Sequence, residues 1–97
     1  MNDSQMLAAL KIDLGITTTK YDARLAQYLA SAKTEIEREG VVFASSPSLA
    51  DSNLIIQYAS WMWRKRDTGE GMPRMIRWQI NNRLFSTQEI VNDVEES

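Results

Sequence analysis

"TKYDARLAQYLASAKTEIEREG", residues 19–40, is the most regular stretch of the chain. Thr19 and Asp22 have the spacing of a capping box at its start, and Gly40 is well placed to end a helix. Apolar side chains recur between these ends at the spacing that places them on one face of an α-helix, namely Tyr21, Leu25, Tyr28, Leu29, Ala32 and Ile36. The stretch therefore predicts an amphipathic helix with one buried face.

Three further segments carry helical patterns: residues 4–14, residues 49–66 and residues 73–85. Ser48 fits as the cap of the second pattern, because Asp51 stands three residues later. The third pattern opens with a proline, which is favoured in the first turn of a helix. Its main apolar stripe is formed by Met72, Met75, Ile76 and Ile80.

These patterns together predict an all-α fold. The expected architecture is a compact bundle of four helices, with a helical hairpin around residues 49–85. A chain of 97 residues is one domain, and we assign that domain to residues 1–85. Residues 86–97 carry four acidic and no basic side chains. We predict that this acidic C-terminal tail is either a short fifth helix or disordered.

The composition excludes several classes of function. The chain has no cysteine and no histidine, so Ser-His and Cys-His catalysis are excluded and the commonest metal ligand is missing. No close pair of carboxylates stands out from ordinary helix-surface charge. The longest apolar run is far shorter than the roughly 18 residues that a membrane span requires. We predict a protein that is not an enzyme, binds no cofactor or metal, and does not associate with a membrane.

Large apolar side chains stand outside the predicted core stripes of the last two helices. Ile56 and Trp63, seven residues apart, lie opposite the main stripe of the first of these helices, while Trp61 belongs to that stripe. Trp78 and Phe85 repeat the arrangement on the following helix. Aromatic side chains left outside a core are enriched at protein–protein contacts. We therefore predict a protein interface at Ile56, Trp63, Trp78 and Phe85; the alternative is that residues 19–40 or the tail cover the tryptophans.

Basic side chains are concentrated in the same hairpin, where residues 61–84 carry six basic and two acidic groups. The run Arg64, Lys65 and Arg66 is explained by the favourable position of cations at the C-terminal end of a helix. Adding Arg74 and Arg77 gives a basic patch that would face a DNA channel or an acidic partner. Three or four phosphate contacts give a salt slope of only about −3, so we expect a single copy to bind DNA weakly.

The order of these segments resembles the small head–tail connector proteins of tailed bacteriophages and prophages. The resemblance begins with "MLAALKIDLGITTTKYDARLAQYLASAKTEIEREG", residues 6–40, and continues with "YASWMWRKR", residues 58–66, and "GMPRMIRWQINNRL", residues 71–84. The turn at residues 17–20, TTTK, departs from the acidic turn that is frequent in that family. The resemblance implies an all-α subunit that assembles into a ring below the portal, extends the DNA channel and docks tail-completion proteins. It implies no catalytic residues.

The sequence and the resemblance together predict a structural protein of the virion, made in the cytoplasm of the bacterial host. Its expected partners are further copies of itself in a homo-oligomeric ring, the portal protein and tail-completion proteins, with non-specific contact to double-stranded DNA. The alternatives are a small helical DNA-binding regulator and a prophage regulatory protein that binds another protein. The long turn before residue 73 argues against the first alternative, because a helix-turn-helix has a tight turn before its recognition helix.

Overall fold

The computed structural model describes residues 1–69 and 71–96, with side chains described for residues 1–66, 69 and 71–85. The helices in this part of the chain are α1 Asp3–Leu14, α2 Asp22–Arg38, α3 Leu49–Thr68 and α4 Arg74–Glu96. No strand occurs among the described residues. The predicted all-α bundle of four helices is therefore confirmed. None of these helices, as far as they are described, has both the length and the apolar character needed to cross a membrane.

Local signals at the helix ends were predicted with mixed success. Ser48 caps α3 as expected, since its hydroxyl accepts a hydrogen bond from the Asp51 amide at 3.2 Å. Gly40 follows the end of α2 with φ at 110°, which confirms its predicted role. The capping box between Thr19 and Asp22 was wrong, because α2 begins without a side-chain cap. The Asp22 carboxylate instead lies 2.8 Å from the ammonium of Lys11 and so ties α2 to α1.

Helix α3 is the central element of the bundle, and it contacts α1, α2 and α4. Both of its apolar faces are therefore covered. Ile56, which the sequence placed on an outer interface, is only 3% exposed and belongs to the core. That placement was wrong, because periodicity identifies a second apolar face but not the helices that cover it. The largest fully buried side chains of the bundle are Leu10, Leu25, Ile36, Ile55 and Ile80.

Helix α4 packs against α3 through Ile76 and Ile80, which are both buried. Helix α4 begins at Arg74, so Pro73 lies just before it. The Pro73 carbonyl accepts a hydrogen bond from the Ile76 amide at 3.1 Å. The same helix continues without a break to Glu96. Residues 86–96 are thus neither a separate fifth helix nor a tail without regular structure, while the division of the chain into domains stays a prediction.

Candidate assembly surfaces

The indole of Trp63 packs against the side of α2. Tyr21 and Tyr28 approach it edge-on, with ring centroids at 5.6 and 5.7 Å. The guanidinium of Arg66 lies over the same indole, 3.7 Å from its centroid. Such edge-on and cation–π arrangements each stabilise by about 0.5–1.5 kcal/mol beyond the burial of area. Trp63 is therefore half-buried and braces α3 against α2, which is the alternative in which residues 19–40 cover it.

Trp61 holds the turn that follows α3. Its indole N–H donates a hydrogen bond to the Gly71 carbonyl at 3.0 Å, and its ring meets Tyr58 edge-on at 5.3 Å. The ammonium of Lys65 lies 4.3 Å from the same indole. Trp61 is half-buried at the edge of the core rather than inside it. Tryptophan combines an apolar ring with a polar N–H, and it suits this position because the ring packs on the core while the N–H bonds to the turn.

The predicted basic patch divides into groups with different surroundings. Lys65 and Arg66 lie on tryptophan rings, and Arg77 forms an ion pair with Glu39 just after α2. Arg64 lines a shallow groove together with residues of α1 and α4, one of which is the acidic Asp13. Arg74 is exposed beside Trp78 and forms no ion pair within the part of the chain that is described.

Arg83 has a structural role that its charge alone did not indicate. Its Nε lies 2.9 Å from the Asp51 carboxylate, and its Nη2 donates to the Val42 carbonyl at 2.8 Å. The two charged side chains are 27% and 15% exposed. Arg83 thus joins α4 to the first turn of α3 and to the segment that precedes it.

Among the described side chains of α4, residues 74–85, three large apolar ones are exposed, and we call them the α4 ridge: Met75, Trp78 and Phe85. They are 60%, 61% and 66% exposed. Their spacing of three and seven residues places them on one side of the helix. The structure thus leaves Trp78 and Phe85 uncovered by the described residues, as predicted. It also exposes Met75, which the sequence had assigned to the core stripe; its position three residues before Trp78 was the signal that was missed.

A groove between α1 and α2 was not predicted from the sequence. It has a volume of about 530 Å³, and we call it the α1–α2 groove. Its lining includes the small side chains Ala26 and Ala30, one helical turn apart on α2, which leave room between the helices. The other apolar lining residues are Met6, Leu7, Leu29 and Ile55, and the polar ones are Asp3, Ser4, Lys33, Thr34 and Glu37.

Tyr58 is the buried titratable side chain at the centre of α3. Burial raises the pKa of its hydroxyl above 10.0, and the negative charges of Glu35 and Glu39 raise it further. The positive charge of Arg77 acts in the opposite direction. The phenol is therefore held in its neutral form where α2, α3 and α4 meet.

Comparison of the sequence with known protein families gives a match over most of the chain. A family model described as phage gp6-like head-tail connector protein matches residues 4–94, a range that takes in α2 and α3 completely and nearly all of α1 and α4. No curated protein and no solved structure matches. The match confirms the resemblance to head–tail connector proteins that residues 6–40, 58–66 and 71–84 carry. The chain is a member of the phage gp6-like family of head–tail connector proteins, which are structural components of phages.

Proposed function

We propose that the protein is a subunit of a homo-oligomeric ring that joins the portal of the phage head to the tail and extends the DNA channel. Membership of the connector family is the observation that carries this proposal. The family is one of structural proteins rather than enzymes, which agrees with a chain that lacks histidine and cysteine. The neighbours proposed for the ring are the portal protein on the head side and tail-completion proteins on the other side.

The α4 ridge is the surface that we propose for contact with a neighbouring subunit or protein. Exposure of three large apolar side chains to water on one helix face is unfavourable, and a partner that covers them lowers the free energy. Trp78 and Phe85 keep the interface role proposed from the sequence, and Met75 joins them. Ile56 is withdrawn because it is buried. For Trp63, the proposed contact is limited to the edge of the indole that α2 leaves uncovered.

Contact with DNA is proposed only for the assembled ring. Lys65, Arg66 and Arg77 already interact with groups of their own chain, so part of their charge is compensated. Arg64 belongs to the same basic patch, and the exposed Arg74 adds to the positive potential that each subunit would contribute to the channel. Repetition around a ring multiplies this weak field, since electrostatic binding grows with the number of phosphates that are neutralised. Because Lys65, Arg66 and Arg77 interact within their own chain, a single copy has little free positive charge for DNA. A DNA-binding regulator that acts as a single copy is therefore the less favoured alternative.

Removal of the gene from the phage tests the connector role. We expect lysates without the protein to contain heads and tails that are not joined, because the ring is the link between them. Electron microscopy of negatively stained lysates gives the fraction of joined particles. Expression of the wild-type chain from a plasmid should restore joining, and the Gly71→Ala variant, altered at an exposed position, should restore it equally. Joined particles at the normal frequency in the absence of the protein would contradict the proposal.

The proposed location follows from the same role. A subunit of the head–tail junction is retained in the finished virion and is made in the cytoplasm of the bacterial host before assembly. Quantitative mass spectrometry of purified virions measures this directly. We expect several copies per particle in a constant ratio to the portal protein.

A further inference from the structure

The α4 ridge and the α1–α2 groove have complementary surfaces. The ridge presents the exposed side chains of Met75 and Trp78, with the cationic Arg74 beside them. The groove offers an apolar lining and, among its polar residues, two carboxylates and one ammonium. An aromatic side chain that enters an apolar pocket is the usual centre of a stable protein contact. The two surfaces are therefore suited to each other in polarity and in charge.

We propose that the α4 ridge of one copy docks into the α1–α2 groove of the next copy, with Trp78 against the groove lining and Arg74 near Asp3 or Glu37. The inference rests on the proposed function and deepens it by assigning the two faces that meet. The contact joins two different surfaces, so a pair of copies still has one unoccupied ridge and one unoccupied groove. Contacts of this heterologous kind generate rings when the rotation between copies closes.

Charge favours a second copy in the groove over a contact between two ridges. The described side chains of α4, residues 74–85, include three arginines and no carboxylate. Arg77 and Arg83 are paired with Glu39 and Asp51 of their own chain, so Arg74 is the cation that the ridge offers to a partner. A ridge placed on another ridge would give Arg74 no carboxylate among these side chains and would leave the groove unfilled. In the groove, Asp3 and Glu37 outweigh the single positive charge of Lys33. Opposite charges across an interface fix its register and raise its association rate.

Single cysteines provide a direct test, because the chain has none of its own. One variant carries Met75→Cys on the ridge, which keeps Trp78 in place, and a second carries Ala30→Cys in the groove. The two full-length proteins are mixed at about 1 mM, a concentration that populates even a contact with a millimolar Kd, and are oxidised mildly. Ser31→Cys is the matched control for the groove, because Ser31 is the next exposed residue of α2 and does not line the groove. Mass spectrometry under non-reducing conditions counts the three possible disulfide-linked dimers.

The expected result is a mixed dimer of Met75→Cys with Ala30→Cys in roughly tenfold excess over the mixed dimer with Ser31→Cys, the factor that about 1.4 kcal/mol of preferential contact produces. A dominant dimer of Met75→Cys with itself would overturn the proposal in favour of a ridge-to-ridge contact. Equal yields for the Ala30→Cys and Ser31→Cys mixtures would also overturn it. Circular dichroism of each variant before mixing establishes that all three have the wild-type helix content.

Complementation separates failure of this contact from failure of the connector role. If Trp78→Asp and Ala30→Arg restore head–tail joining as well as the wild-type chain does, the assigned faces are wrong while the connector role stands. If the phage lacking the gene still forms joined particles, the connector role itself is wrong. We expect both variants to reduce joining severely, because one places a charge on the ridge and the other fills the groove.

Discussion

The guanidinium of Arg83 on α4 lies 2.9 Å from the carboxylate of Asp51 in the first turn of α3, and it also donates to the Val42 carbonyl. One side chain thus connects α4, α3 and the segment between α2 and α3. Both charged groups are largely shielded from water, so their attraction is screened less than that of a surface pair. Asp51 in turn donates its backbone N–H to the capping hydroxyl of Ser48.

Replacement of Arg83 by methionine should destabilise the fold by about 2–3 kcal/mol, because it leaves a shielded carboxylate without its partner. The aliphatic part of the side chain is kept, so the loss reports mainly on the charged contacts. Urea unfolding monitored by circular dichroism measures the change. Arg38→Met is the control, since Arg38 pairs with Glu35 on an exposed surface and such pairs contribute about 0–1 kcal/mol. Equal losses for the two variants would show that Arg83 is no more than a surface charge.

The tryptophans should respond differently to truncation. Trp63→Ala removes an indole that contacts Tyr21, Tyr28 and Arg66, and we expect a loss of about 2–4 kcal/mol, somewhat below the range for fully buried aromatics. Trp78 is largely exposed, so Trp78→Ala should change the stability of the single chain by less than about 0.5 kcal/mol. Thermal or urea unfolding of both variants under the same conditions makes the comparison. A larger loss for Trp78 than for Trp63 would reverse the roles assigned to them.

Gly40 should not tolerate a side chain. Its φ of 110° is one that other residues rarely adopt, and an added Cβ would lie 3.2 Å from Cδ2 of Leu84. We expect Gly40→Ala to cost about 1–2 kcal/mol, mostly from the backbone conformation, since the end of the leucine side chain can shift. Gly71→Ala is the matched control, because nothing lies within 4 Å of its added Cβ. Measured free energies of unfolding that are equal for the two variants would contradict the prediction.

Tyr58 should make the fold sensitive to alkaline pH. Its hydroxyl has a pKa raised by burial first and by Glu35 and Glu39 second, so the folded state holds the proton more tightly than the unfolded state does. The stabilisation is fully present below the ordinary tyrosine pKa of about 10 and is lost as the pH rises from there through the raised pKa. Urea unfolding of Tyr58→Phe should show a smaller loss of stability between about pH 9 and pH 11 than the wild type.

Tyr28→Phe is the control for this pH dependence. It removes a tyrosine hydroxyl from α2 and keeps Tyr58. We therefore expect this variant to lose stability at alkaline pH as the wild-type protein does. The two variants share every other titratable group, so the comparison between them removes the contribution of those groups. If Tyr58→Phe loses stability as steeply as Tyr28→Phe, the burial of the Tyr58 hydroxyl has no energetic consequence.

Helical periodicity predicted the elements of the fold but not the surfaces that they cover. The pattern of residues 19–40 gave α2 within a few residues, because one buried face against one wet face has a clear period. Ile56 and Trp63 were assigned correctly to a second apolar face of α3, yet the sequence contains no local signal that a central helix is covered on every side. Met75 shows the opposite error: its spacing predicted a core position, but the packing of α4 leaves it exposed.

The contacts of the hairpin cations could be predicted from the sequence only in part. The placement of Lys65 and Arg66 four and three residues after the tryptophans that they cover is a helical spacing, and it could have been recognised. The ion pair between Arg77 and Glu39, by contrast, joins residues 38 positions apart. Such a pair depends on how α2 and α4 are placed relative to each other, which only the assembled bundle determines.

The head–tail junction of purified virions is where the central claim is tested most directly. Electron cryomicroscopy of this junction should resolve several copies of the four-helix fold around the channel axis next to the portal, with α4 of each copy against the next. The backbone of α1 to α4 is sufficient to recognise the chain in such a map. A junction resolved to the same detail that contains no copy of this fold would contradict the account.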